Sequence, residues 1–187
     1  MSLKLITAAG SMPVDLEDAK LHLRVDGTDE DSLIYAMVVA ATQAAQHACG
    51  LVLSSQTWEL THDGFPCEFK LTRTPVVGVT SIKYIDLDGV LQTLASSHYI
   101  LDTASDYGPA RVLPAYMEIW PSARSQANAV TLRYTCGFAA PELVPESIKS
   151  WIKLQIGSMY ENRQAEGARQ SYALGFADRL LDRYKVW

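Results

Sequence analysis

The stretch TDEDSLIYAMVVAATQAAQHACG, residues 28–50, decides the architecture. Thr28 stands at a capping position, Asp29, Glu30 and Asp31 supply the acids a helix start favours, and Gly50 is a helix terminator. Between them Leu33, Ile34, Met37, Val38, Ala41, Ala45 and Ala48 recur at helical spacing and predict the core face of a long helix. The opposite side carries Ala36, Val39 and Ala40 where charges would be usual. After Asp31 no formally charged residue occurs until Glu59. A helix apolar on most sides is normally buried on most sides. Val39 and Ala40 are therefore expected to meet either the rest of the chain or a neighbouring subunit.

Upstream, Asp15 is a good N-cap for a first helix, with Glu17 and Asp18 where the positive helix end rewards them. Leu16, Ala19 and Leu23 give that helix one apolar stripe, and Asp26-Gly27 ends it. Downstream the period changes. Gln56 to Thr61 alternates as a half-buried strand does, and Phe69 to Thr72 is a short strand stopped by Pro75. Val79 to Ile85 and Val90 to Leu94 flank Asp86-Leu87-Asp88-Gly89, a favoured hairpin turn. Tyr99 to Leu101, Ala110 to Leu113 and Ala129 to Tyr134 complete the strands, with loops at Thr103 to Pro109 and Pro121 to Asn128.

The helical period returns at Pro145, with Ile148, Trp151, Ile152, Gln155, Ile156, Met159 and Tyr160 on one amphipathic helix. Arg163 to Ser171 is polar and contains Gly167, so it reads as a linker. The segment from Leu174 to Tyr184 is amphipathic through Phe176, Ala177, Leu180, Leu181 and Tyr184, and Lys185-Val186-Trp187 follows it. The fold expected is α+β: a helical core formed by both chain ends (residues 1–50 and 141–187) around a small antiparallel β lobe (51–140), all one domain.

Composition excludes several functions. The chain has 187 residues, 48% hydrophobic and 20% charged, with 16 Lys plus Arg against 21 Asp plus Glu. A net charge of −5 without basic clusters argues against a module that grips nucleic acid by its phosphates. Cys49, Cys67 and Cys136 are scattered and odd in number, which suits a reduced, cytosolic protein and gives no CxxC zinc pair. The N-terminal residues lack a signal-peptide pattern, and the longest apolar run, Leu33 to Ala41, is too short to span a bilayer.

Candidate chemistry is sparse. Asp26, Asp29, Glu30 and Asp31 lack the calcium-loop spacing and suit helix capping better. His62, Asp63 and Cys67 invite a nucleophile–base pair, yet Asp63-Gly64 and Pro66 also make an ordinary turn. His22, His47 and His98 are isolated, and Asp86 and Asp88 sit on the hairpin turn. No phosphate loop, dinucleotide fingerprint or nucleophile elbow occurs, and no cofactor is implied.

An ordered set of segments carries a resemblance. It comprises Leu5-Ile6-Thr7, Pro13-Val14, Ala19 to Asp26, Asp29 to Ile34, Gln56 to Leu60, Val130 to Gly137, Val144 to Lys149 and Tyr160 to Arg163. In this order and spacing the chain resembles the tailed-phage head–tail connector (adaptor) family, in its longer form with a β insertion. The resemblance implies a structural protein at the neck of a virion, made in the host cytoplasm, with no catalytic residues and no membrane. It implies a ring of about a dozen subunits beneath the portal, a later neck or tail-completion protein docked below, and DNA passing through the channel. On that reading Leu174, Phe176, Leu180, Leu181, Tyr184, Val186 and Trp187 form the portal or subunit contact, joined by Val39 and Ala40. Trp187 either folds back on its own domain or docks on a partner. The competing readings are a small intracellular enzyme using His62 and Cys67, and a nucleic-acid-binding module.

Overall fold

The computed structural model describes residues 1–162 and 175–185 and shows an α+β chain in two compact units. One unit is helical and comprises Gly10–Ser54 and Phe138–Trp187; the other is β-rich and comprises Met1–Ala9 and Ser55–Gly137. Residues 1–9, grouped with the helices in the sequence reading, thus belong with the strands.

In the helical unit, α1 (Leu16–Leu23) begins where Asp15 expects it to. The Asp15 carboxylate accepts the Asp18 N–H at 2.7 Å, satisfying one of the helix's orphan donors. The helix ends at Arg24, whose left-handed backbone (φ 61°) turns the chain. Helix α2 (Asp31–Cys49) starts later than Thr28 suggests. The Thr28 carbonyl, not its hydroxyl, receives the Asp31 N–H at 3.2 Å, and Asp29 and Glu30 precede the first turn. Gly50 closes α2 as expected, in the left-handed region at φ 73°, where a side chain would be strained.

The buried face of α2 is Ile34, Met37, Val38, Ala41, Thr42, Ala45 and Cys49. Leu33, 40% exposed, and the exposed Ala48 fall off the predicted core face. Helix α3 (Glu146–Glu161) presents Ile148, Trp151, Ile152 and Ile156 to the same core, with Pro145 immediately before its first turn. Helix α1 packs on both α2 and α3. An ion pair joins Lys20 of α1 to Asp31 at 2.8 Å, and Lys153 of α3 reaches Asp18 at 3.5 Å. The amphipathic segment ending at Tyr184 is not one continuous helix. Among the described residues helix α4 covers Gly175–Arg179, and a 3-10 turn follows at Asp182–Tyr184.

In the β unit the strands are β1 (Ser2–Thr7), β2 (Gln56–His62), β3 (Phe69–Leu71), β4 (Val76–Ile85), β5 (Leu91–Leu94), β6 (Tyr99–Asp102), β7 (Ala110–Pro114) and β8 (Val130–Cys136). They form two antiparallel sheets, β1-β2-β8-β4-β5 and β3-β7-β6. Strand β8 is central and alternates strictly, with Val130, Leu132, Tyr134 and Cys136 buried. Leu132 pairs with Leu60 on one side and Ile82 on the other, which fixes both registers around one apolar row. The Asp86–Gly89 turn is built as its sequence predicts. Asp86 accepts N–H groups from Asp88 at 3.1 Å and Val90 at 2.8 Å, and Gly89 takes φ 86°.

Candidate assembly surfaces

The outward side of α2 is the first surface. Its hydrophobic residues are not covered: Tyr35 is 51% exposed, Ala36, Ala40, Ala44 and Ala48 are exposed, and Val39 is half-buried. Of the two covers expected for Val39 and Ala40, the chain itself leaves Ala40 exposed and Val39 half-buried. What remains is a row of small side chains with no formal charge among residues 32–49.

The C-terminal segment is the second surface. Phe176 is 57% exposed and Leu180 and Tyr184 are half-buried, whereas Ala177 and Leu181 are buried in the helical unit, Leu181 at 1% exposure. Leu181 thus anchors the segment and is not available at its surface. The Trp151 indole N–H approaches the Asp178 carboxylate at 3.5 Å, a further tie between α3 and α4. Leu174, Val186, Trp187 and the linker from Arg163 to Ser171 lie outside the described residues.

A third surface escaped the sequence reading. In the loop after β7, Tyr116 is 89%, Met117 88% and Ile119 85% exposed, while the next residue, Trp120, is tucked into an aromatic cluster. Trp120 stacks on Phe65 at 5.2 Å and meets Phe69 edge-on at 5.5 Å; Phe65 also meets Tyr84 edge-on at 5.4 Å. The signal was present as four large apolar residues within Tyr116 to Trp120, but a loop has no period by which to sort inward from outward side chains.

The candidate chemical groups are engaged elsewhere. His62 sets its ring edge-on to Phe69 at 5.4 Å, and burial pulls its pKa below the usual imidazole value. Cys67 is exposed, its carbonyl receives the Trp120 indole N–H at 3.4 Å, and no hydrogen bond joins it to His62. Burial pushes the Cys49 thiol up to about 11 and the Cys136 thiol up to about 12, so neither is a ready nucleophile. Of the acids near α2, Asp31 holds Lys20 and Glu30 accepts the Tyr160 hydroxyl. Among the described residues no group of three or more His, Cys, Asp or Glu is placed to hold a metal ion, and no helix is long and apolar enough to cross a membrane. A shallow polar hollow lined by Thr103, Ser105 and Asp106 gathers no nucleophile–base pair.

Exposed large apolar side chains, Tyr35, Phe176, Tyr116, Met117 and Ile119 among them, lie on these three surfaces. Residues 13–85 match the family model of the phage gp6-like head-tail connector protein, which bears out the resemblance read from the sequence. Solved structures share the whole fold. A chain in the virion of a native gene transfer agent particle superposes with a TM-score of 0.78 at 22% identity, covering 100% of this chain and 96% of that one. A chain in the neck of the empty particle, computed with C6 symmetry, gives the same TM-score of 0.78, identity of 22% and coverages of 100% and 96%. A chain in the neck of the native particle, computed with C12 symmetry, gives 0.75 at 20% identity, with coverages of 100% and 96%. No curated protein matches the chain.

Proposed function

We propose that this chain is a structural head–tail connector subunit, working by assembly and not by catalysis. The observation that carries the reading is the connector-family match over residues 13–85 on a fold shared end to end with chains of particle necks. The whole chain acts as one connector subunit: a helical core drawn from both sides of the sequence, with the β lobe as its insertion. About a dozen copies form a ring at the head–tail junction beneath the portal, with heterologous contacts that close because the rotation between copies fits. Support for the ring comes from the C6 and C12 symmetry of the necks that contain the similar chains. A neck or tail-completion protein docks below. DNA passes through the channel, and a net charge of −5 suits a conduit that must not hold it.

The C-terminal segment is the portal contact in this reading. Phe176, Leu180 and Tyr184 face the partner, while buried Leu181 fastens the segment to its own domain; Leu174, Val186 and Trp187, assigned to the same contact from the sequence, lie outside the described residues. Cutting the segment away would uncover the apolar surface beneath Ala177 and Leu181. The cleaner test is therefore Phe176→Asp in the full chain, mixed with portal and imaged by electron microscopy. Wild-type chain decorates the portal with a ring and F176D does not, with circular dichroism unchanged. Undiminished decoration by F176D removes the segment as the contact, and a wild-type chain that never rings the portal removes the connector reading itself.

A further inference from the structure

We infer that the outward face of the five-stranded sheet is the surface against which the DNA backbone slides. The inference rests on the connector reading and assigns the channel contact to one face of the β unit.

Cross-strand pairing lays that face out row by row. Ser2, Thr61, Thr131, Lys83 and Thr93 are successive partners across all five strands, so their side chains share one side of the sheet. The adjacent row is Lys4, Glu59, Arg133 and Ser81, and the one beyond it holds Thr7, Thr57 and Thr135. Strand β8 shows that this is the side away from the core, because Thr131, Arg133 and Thr135 alternate with its four buried residues. Every side chain named in the three rows is polar, and none is buried. Apolar side chains return at the corner of the sheet, where Ile85 pairs with Leu91.

Charge and side-chain chemistry select the occupant. A sheet face open to water is ordinarily polar. This one is also cationic in a chain of net charge −5, with Lys4, Lys83 and Arg133 against Glu59. Arg133 is paired with Glu59 at 2.7 Å. Lys4 and Lys83 have no ion-pair partner among the described residues, whereas Lys70 and Arg111 on the smaller sheet are both paired. A protein partner is held by buried aromatic and aliphatic anchors, and the three rows supply none. Duplex DNA asks for lysines near its phosphates and for hydroxyl donors to the phosphate oxygens, which is what these rows offer. Two free lysines per subunit neutralise little of its charge. The contact is therefore weak and salt-sensitive, as a surface that DNA must move past requires.

The test is fluorescence anisotropy of a labelled DNA duplex titrated with the full chain at about 20 mM salt. Weak binding is expected, falling with added salt at a log–log slope of about −2, the value for two neutralised phosphates. Lys4→Ser combined with Lys83→Ser should weaken it at least about tenfold, with unchanged circular dichroism. Lys70→Glu, which makes the same change in net charge on the smaller sheet, should leave it unaltered. No binding, or equal binding by the double serine variant, overturns the inference. Equal affinity for poly-glutamate also overturns it, and makes the face a dock for an acidic protein. Rings on portal from a chain that ignores the duplex sink this contact and leave the connector reading standing. Duplex binding through the two lysines by a chain that never rings the portal sinks the connector reading instead.

Discussion

The Trp120 indole lies nearly parallel to the Phe65 ring, at 16° and 5.2 Å between centroids. Offset stacking of this kind adds to the burial of both rings. Trp120 follows directly on the exposed Ile119, so the stack fixes where the loop tip points. Trp120→Ala should lower stability by about 1–3 kcal/mol, less than a fully buried tryptophan because Trp120 is half-buried. Trp120→Phe should recover about half of that. Urea unfolding of the three proteins checks it, and an unchanged midpoint for W120A would show that the loop stands without the stack.

Lys20 and Asp31 form an ion pair whose two sides are unequally exposed, 9% for the lysine side chain and 32% for the aspartate. The hydrogen bond that Lys20 donates to Asp31 is the first cause holding the Lys20 pKa above its usual value. Deleting either partner strands the other, and the stranded charge that cannot reach water suffers more. Asp31→Ala should therefore lower the melting temperature more than Lys20→Met, which puts an apolar stem in the same space. Scanning calorimetry of both variants decides it. A larger loss in K20M would mean that the lysine ammonium is well solvated in the folded chain.

His62 gives the chain a pH dependence with a definite sign. Burial first, then the nearby N-terminal charge, lower its folded pKa, with Asp63 opposing. The unfolded chain then binds the proton more readily than the folded chain, so stability rises with pH through this region. The contribution is complete above the ordinary histidine value of about 6.5 and is lost as pH falls below it toward the depressed folded value. Melting temperatures measured from about pH 7.5 down to about pH 5 should fall in the wild type. The fall should be shallower in His62→Phe, which keeps the edge-on contact with Phe69 but cannot titrate. Parallel curves for the two proteins would remove His62 as the cause.

These elements also show what a sequence can reveal. The strict alternation of Val130, Leu132, Tyr134 and Cys136, and the helical rows of α2 and α3, were legible because one face of each is buried and periodicity records burial. Strand β1 was invisible for the converse reason: five of its six residues are exposed, so it has no buried face to write a period. The start of α2 was misplaced because Thr28 and the three following acids satisfy the capping pattern wherever the first turn begins. The Tyr116 loop was missed because its tip and its anchor are chemically alike in sequence, and only the turn at Met117 sends one outward and the other inward.

The two sides of α2 differ in burial, and substitutions on them are expected to differ in effect. Ala40 is exposed and Ala45 is fully buried, five residues along the same helix. Ala45→Glu would force a carboxylate into a core that offers it no partner, and should abolish cooperative unfolding or cut stability by about 3 kcal/mol or more. Ala40→Glu places the same group in water, where surface substitutions change stability by about 0.5 kcal/mol or less. If the uncharged outer face is where a second copy seats, A40E should nonetheless lose ring formation, because docking would then bury an unpaired charge. Circular dichroism and electron microscopy of A40E together distinguish the outcomes. A folded A40E chain that still makes rings shows that the outer face of α2 is free surface, and then its missing charges have no role in assembly.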